Sequence, residues 1–235
     1  LFRSNEIPWH TKIIDLSTDF RDESEGFVYG LAEFQKEKIK SATKIANPGC
    51  FATSIELALL PLAKAGLLKE DVHVSAITGS TGAGQSLSST SHFSWRNNNI
   101  SIYKAFTHQH LAEIKQTLGT KQAIHFIPYR GNFSRGIMAN VYTSYSGTQE
   151  EAEKLYEDFY ANSPFVFLSP EAVDVKQVVN TNKCFLHLQV HEGQILISSV
   201  IDNLIKGASG QAVQNMNLML GWQEDAGLRL KAIGF

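Results

Sequence analysis

The chain has 235 residues, 43 % apolar and 19 % charged, with 21 Lys+Arg against 23 Asp+Glu and a net charge of −2. That length builds one large domain or two modest ones around a buried core, and the absence of a basic excess argues against a nucleic-acid binder. Two cysteines cannot frame a disulfide scaffold, and the longest apolar stretch, residues 55–68, is interrupted by Glu56, Pro61 and Lys64 and too short to span a membrane.

In chain order, residues 12–16 read as a short strand running into the polar turn Ser17-Thr18-Asp19. A helix is predicted over 51–65, introduced by Asn47-Pro48-Gly49 and closed by Gly66. Residues 72–78 alternate as a strand and enter the glycine-rich loop Gly79-Ser80-Thr81-Gly82-Ala83-Gly84. Leu111, Ile114 and Leu118 recur at i, i+3 and i+7, a second helix that Gly119 ends. Residues 123–127 and 137–145 read as strands, and Thr148 with Glu151 makes a capping box before a helix to about 162. Residues 173–178 read as a further strand. Residues 184–191 and 195–201, joined by Glu192-Gly193-Gln194, read as an antiparallel hairpin. A last helix opens near Ser209-Gly210, carries Val213, Met216 and Leu220, and stops at Gly221. Strands and helices mix without strict alternation, which indicates α+β.

The sharpest feature is Asn47-Pro48-Gly49-Cys50 ahead of an apolar helix. A thiol there faces unpaired N–H groups and the positive end of the helix dipole. Both favour the thiolate, the nucleophilic form, and the same N–H groups suit an oxyanion. The plainer reading is a buried structural cysteine. Cys184 alternates with Leu186, Leu188 and Val190 on one strand face and is assigned to the core. A cysteine nucleophile needs an acid/base partner, and His108 and His110 stand together just before a helix. A His-x-His zinc pair is the rival, without a convincing third and fourth ligand. His187 and His191 read as surface or interface residues, and His73 and His125 have only strand positions to recommend them. The Gly79–Gly84 loop is followed by Gln85-Ser86-Leu87 and further polar residues instead of a helix, so it is not a dinucleotide fingerprint. Its free N–H groups can still meet an anion. Ser209-Gly210-Gln211, opening a helix, is either an anion site or an ordinary cap. Arg130 and Arg135, each followed by glycine, flank a short loop where a guanidinium could clamp a carboxylate or phosphate.

Seven stretches in order resemble the N-acyl-γ-glutamyl-phosphate reductases, relatives of the aspartate-semialdehyde and glyceraldehyde-phosphate dehydrogenases. They are residues 14–21, 28–33, 47–50, 79–84, 108–114, 135–138 and 203–214. The resemblance implies NADPH-dependent reductive dephosphorylation of N-acetyl-γ-glutamyl phosphate to the semialdehyde, in the cytoplasm, with NADP as the oxidised cofactor and no metal. It implies Cys50 as the nucleophile that forms a thioacyl intermediate, His110 as acid/base, and His108, Arg135 and Asn47 as substrate contacts. Gly82, Ala83, Gly84 and Asn203 fall by the nicotinamide, Ser209, Gly210 and Gln211 along the cofactor phosphates, and Ser17 closes the cofactor site. The implied fold is α+β: a glyceraldehyde-phosphate-dehydrogenase-like catalytic domain with a mixed sheet, plus a remnant of a Rossmann domain. The implied boundaries are 1–47 for that remnant, 48–205 for the catalytic and oligomerisation domain, and 206–235 for a helix returning to the nucleotide domain. A homodimer or homotetramer is expected, without nucleic-acid or membrane partners. The family's N-terminal glycine fingerprint is missing from this sequence, Ala32 replaces the usual proline, and residues 130–133 are inserted ahead of the Arg-Gly motif. Two other readings stand beside this one: a cofactor-independent cysteine acyl hydrolase or transferase, and a semialdehyde dehydrogenase for another acyl group such as N-succinyl.

Overall fold

The computed structural model describes residues 7–8, 10–84 and 87–233; Gln85 and Ser86, part of the predicted polar loop, lie outside them. Strands β1 (Ile13–Asp15), β2 (Val28–Tyr29) and β3 (Lys44–Ala46) pair in parallel in the order β1-β3-β2, with α1 (Ala32–Ser41) crossing from β2 to β3. Helix α2 (Cys50–Lys64) then leads into a larger sheet built from β4 (Val72–Thr78), β5 (Ser101–Ile102), β6 (Ile124–Arg130), β7 (Ile137–Ser144), β8 (Val166–Leu168), β9 (Cys184–His191) and β10 (Gln194–Ile201). Their order is β5-β6-β4-β7-β10-β9-β8, parallel at β4–β6 and β8–β9 and antiparallel elsewhere. The short α3 (Phe93–Arg96) precedes β5, α4 (His110–Leu118) precedes β6, α5 (Gln149–Tyr160) follows β7, and α6 (Gly210–Met219) closes the chain against α1 and β1.

Helix α2 is buried around its whole circumference because it lies between the sheet and helices α4 and α5; every residue from Phe51 to Leu62 is buried. Pro61 supplies no N–H to the carbonyl of Leu57 four residues back. The Tyr160 hydroxyl of α5 donates to that carbonyl at 2.6 Å, and Tyr156 donates to Ala58 at 2.6 Å. The proline is thereby tolerated inside the core. On β7 the alternation is plain: Ile137, Ala139, Val141 and Thr143 are buried, while Met138, Asn140, Tyr142 and Ser144 face outward and are partly exposed. His73 stacks on both His125 and Tyr142, with ring centroids 4.9 Å apart in each case, so both histidines belong to the outer face.

One predicted element is corrected. Residues 173–178 are not a strand: Asp174 and Gln177 form a capping box around a single turn, Val175–Gln177, while Val173 and Val178 pack on Val200. The strand in that region is β8, which pairs in parallel with β9. The last helix, α6, begins at Gly210, where the sequence places it. A π-helical turn over Ile205–Ser209 runs straight into α6, and Ser209 itself has helical angles. The cap lies upstream, where Asp202 accepts from the N–H groups of Leu204 and Ile205 at 2.8 and 3.1 Å.

Among the described residues no helix is long and apolar enough to cross a membrane. Removing the Tyr160 hydroxyl should strand the Leu57 carbonyl in the core. Tyr160→Phe is expected to cost about 1–3 kcal/mol, read from urea unfolding; a variant as stable as wild type would show that the helix needs no outside donor.

Candidate active site

The first residue of α2 is Cys50, and its cap, Gly49, has extended backbone and no side chain to occupy the helix mouth. Glycine is required there by contact. A Cβ at position 49 would lie 2.3 Å from His110 Nε2 and 2.6 Å from Arg21 Nη1. The π-helical turn brings a second glycine against the same spot, since a Cβ on Gly207 would fall 2.7 Å from that of Cys50. The backbone therefore closes on the thiol from both sides.

Cys50 opens onto a cleft of about 510 Å³ whose walls include Asn47, Gly82, Ala83, Gly84, Tyr103, Lys104, His108, His110, Arg130 and Asn203. The structure thus brings together eight of the residues singled out by sequence: Asn47, Cys50, Gly82, Ala83, Gly84, His108, His110 and Asn203. Cys184, by contrast, is fully buried, 3.6 Å from the Ser199 hydroxyl.

The thiol is not held ionised by its surroundings. Burial pushes it up to about 11, the nearby Glu113 adds to the rise, and the Phe51 N–H and Arg21 offset only part of it. His110 lines the same cleft. Burial, followed by the neighbouring His108, Arg21 and Lys104, drives its imidazole well below the usual histidine range, so it is neutral at physiological pH. Its Nδ1 is buried with no hydrogen-bond partner. His108 is brought down to about 4, mainly by burial, and its Nδ1 accepts the backbone N–H of His110 at 3.2 Å. That bond places the proton of neutral His108 on Nε2. Among the described residues no cluster fit to hold a metal occurs, and the pair serves as ring contacts, 4.5 Å between centroids.

Five candidates lie elsewhere. Ser17 is exposed at the end of β1, bonded to Asp15, and does not line the cleft. Ser209 donates to the Leu204 carbonyl at 2.7 Å, Gly210 is pressed against Ile205 and Asn182, and Gln211 is fully buried with its amide on Thr53. Because a π-helical turn runs straight into α6, this tripeptide lies in continuous helical backbone, with the Ser209 N–H on the Leu204 carbonyl at 2.9 Å. Arg135 pairs with the buried Asp202 at 2.9 Å instead of reaching the cleft. The inserted loop puts Arg130 there, its guanidinium 4.4 Å above the Tyr103 ring with no carboxylate partner among the described residues. Asn47, although in the wall, gives its amide to the Ala208 carbonyl and accepts from Asn215, so its side chain joins segments rather than offering itself to a ligand. Asn203 likewise accepts from Gly136 N–H at 2.7 Å and donates to Thr81 at 3.0 Å, fixing the glycine loop beside Cys50.

Sequence reading passed over the carboxylate beneath the site. Glu113 accepts from Arg21 (2.8 Å), from the Tyr29 hydroxyl (2.7 Å) and from the Gly49 N–H (3.0 Å), and lies 3.8 Å from His110 Nε2. The spacing His110-x-x-Glu113 on one helix face was the available signal. Lys104, in a left-handed conformation (φ 46°), faces the cleft and holds Gln109.

A family model described as the semialdehyde dehydrogenase dimerisation domain matches residues 50–203. The N-acetyl-gamma-glutamyl-phosphate reductase of Christiangramia forsetii is 60% identical over 97% of this chain and 73% of its own length. Those of Azobacteroides pseudotrichonymphae (59%, 95% and 71%) and Flavobacterium johnsoniae (56%, 99% and 75%) are similarly close. Among solved structures, aspartate semialdehyde dehydrogenase II from Vibrio cholerae shares the fold, with a TM-score of 0.71 at 17% identity over 88% of this chain and 72% of that one.

The two buried neutral histidines couple the site to stability. The unfolded chain takes up protons as pH falls below about 6.5, whereas His108 and His110 resist them until far lower. The contribution of these two histidines is therefore complete above about pH 6.5 and declines toward pH 4. His108→Gln should lose less Tm over this window than wild type; equal losses would mean that His108 titrates normally.

Proposed function

This chain belongs to the N-acetyl-gamma-glutamyl-phosphate reductase family, and we propose that it acts in the cytoplasm as an NADPH-dependent reductase of N-acetyl-γ-glutamyl phosphate, in the arginine biosynthetic route. The observation that carries the reading is the pairing, in one cleft, of a helix-mouth thiol with a neutral buried imidazole.

In this reading His110 takes the Cys50 proton as the sulfur attacks the γ-carbonyl carbon, because the thiol is too basic to ionise unaided. The oxyanion meets the N–H groups at the start of α2, the carbon–oxygen bond to phosphate breaks, and a thioester remains on Cys50. The imidazolium then formed is balanced by Glu113, 3.8 Å away. Arg130 and Lys104, both lining the cleft, attract the anionic groups of the substrate. Arg135 is left with a supporting role through Asp202.

The cleft suits the nicotinamide end of the cofactor: Gly84 has no neighbour that a Cβ would meet, and Gly82 and Ala83 complete an open floor beside Asn203. When bound, the nicotinamide supplies the hydride. The residues assigned to its phosphates, Ser209 to Gln211, do not fit that task. Residues 1–47 are read as the closing portion of a nucleotide-binding domain, 48–205 as the catalytic and oligomerisation domain, and 206–235 as a return to the first; the parallel order β1-β3-β2 and the packing of α6 on α1 support this division. The outer sheet face, with Met138, Tyr142 and Phe167 partly exposed, is the surface we assign to a homodimer.

NADPH oxidation by the full-length enzyme with the acyl phosphate tests the reaction; substrate loss without any change at the nicotinamide band would favour a hydrolase. His110→Asn should lower kcat by roughly 10² to 10⁴, and an effect on KM alone would make it a binding residue. Arg130→Lys should raise KM about tenfold, since the fork and not the charge alone fits the anion. Should Arg135→Lys do this instead, the anion sits on the far side of the inserted loop.

A further inference from the structure

Helix α2 contains one acidic residue, Glu56, fully buried six positions after Cys50. The Tyr29 hydroxyl of β2 lies 3.0 and 3.1 Å from its two oxygens and 2.7 Å from Glu113 Oε2. One hydroxyl proton thus faces two carboxyl groups. The shorter contact is to Glu113, so the phenol donates there, and its oxygen is left to accept. Only a protonated Glu56 can donate to it. Charge leads to the same assignment. Arg21 is paired with Glu113 at 2.8 Å, and a second anion in this volume would be without a counter-ion.

We propose that Glu56 is a positioning residue that works as a neutral carboxylic acid, clamping Glu113 through Tyr29 in the orientation that holds the Gly49–Cys50 turn and faces His110. The chain of donors runs in one direction, from Glu56 to Tyr29 to Glu113, and ends where Glu113 also accepts the Gly49 N–H at 3.0 Å. Neutrality is part of the function: a charged Glu56 would add a second negative group behind a thiol that Glu113 already makes more basic. Burial and the Glu113 charge push the Glu56 carboxyl well above its usual range, and burial with both carboxyls does the same to the Tyr29 hydroxyl. The other groups that act on Glu56 are Thr117 of α4, Arg21 from the loop after β1, whose charge opposes the rise, and Tyr160 of α5. The clamp rests on Cys50 and His110 being the reacting pair, yet it can be tested without substrate or cofactor.

The test is the rate of Cys50 alkylation by iodoacetamide against pH, followed by peptide mass, with sealed Cys184 as internal reference. Glu56→Gln keeps the shape and the neutral donor, and its profile should overlay wild type within about twofold. Glu56→Leu removes the donor, and alkylation at pH 8 should slow by about fivefold or more. Should Glu56→Leu fail to fold, Tyr29→Phe, which deletes only the bridging oxygen, should give the same slowing in a folded chain. A Gln variant as slow as Leu would show that the native group is an anion and overturn the proposal. A folded Leu or Phe variant matching wild type would overturn it equally. If NADPH turnover is absent while these differences persist, the reaction reading fails and the clamp stands.

Discussion

Glu113 is a buried carboxylate that three separated segments are built to satisfy. The loop after β1 brings Arg21, β2 brings Tyr29, and the start of α2 brings the Gly49 N–H. In a low-dielectric interior a carboxylate left short of donors is costly, whereas one with a guanidinium, a phenol and an amide is held firmly. Satisfying it fixes the relative placement of those segments, and with them the helix mouth where Cys50 sits. The same requirement explains Gly49, whose position is filled by the His110 ring and Arg21 up to the space a Cβ would take.

The thiol illustrates how competing effects of different size settle a protonation state. A helix terminus stabilises a nearby anion by about 0.3–1 kcal/mol, at most about 2, which is little more than one pH unit. Desolvation of a buried group can move its pKa by several units. At Cys50 desolvation wins, aided by the Glu113 charge, and the thiol is raised to about 11. Beside it stands a histidine that burial keeps neutral, and Glu113, a minor contributor to the rise of the thiol, lies 3.8 Å from that imidazole.

Local patterns in the sequence foretold local structure well. The capping box Thr148/Glu151, the 184–201 hairpin, the left-handed Gly119 and the helix after Gly49 all appear as read. The strand reading of 173–178 failed on a local signal, because Asp174 and Gln177 form a capping box that turns the segment into a single helical turn. The ion pair of Arg135 with Asp202, 67 residues further along, had no local pattern to announce it. Strands as short as Val28–Tyr29 and Lys44–Ala46 leave no periodic signal, so the parallel sheet could be inferred only from resemblance.

Asp202 and Asn203 show why the site cannot be separated from the fold at this point. Adjacent in sequence at the end of β10, they face different tasks. Asp202 caps the π-helical turn, holds the Asn180 N–H at 2.6 Å and retains Arg135. Asn203 ties Gly136 to Thr81, so the loop carrying Gly82 to Gly84 is fastened to the same strand end. The turn capped by Asp202 is the one that places Gly207 against Cys50. Two neighbouring side chains thereby set both the floor of the cleft and the wall behind its sulfur, and a change at either would reach the thiol through backbone alone.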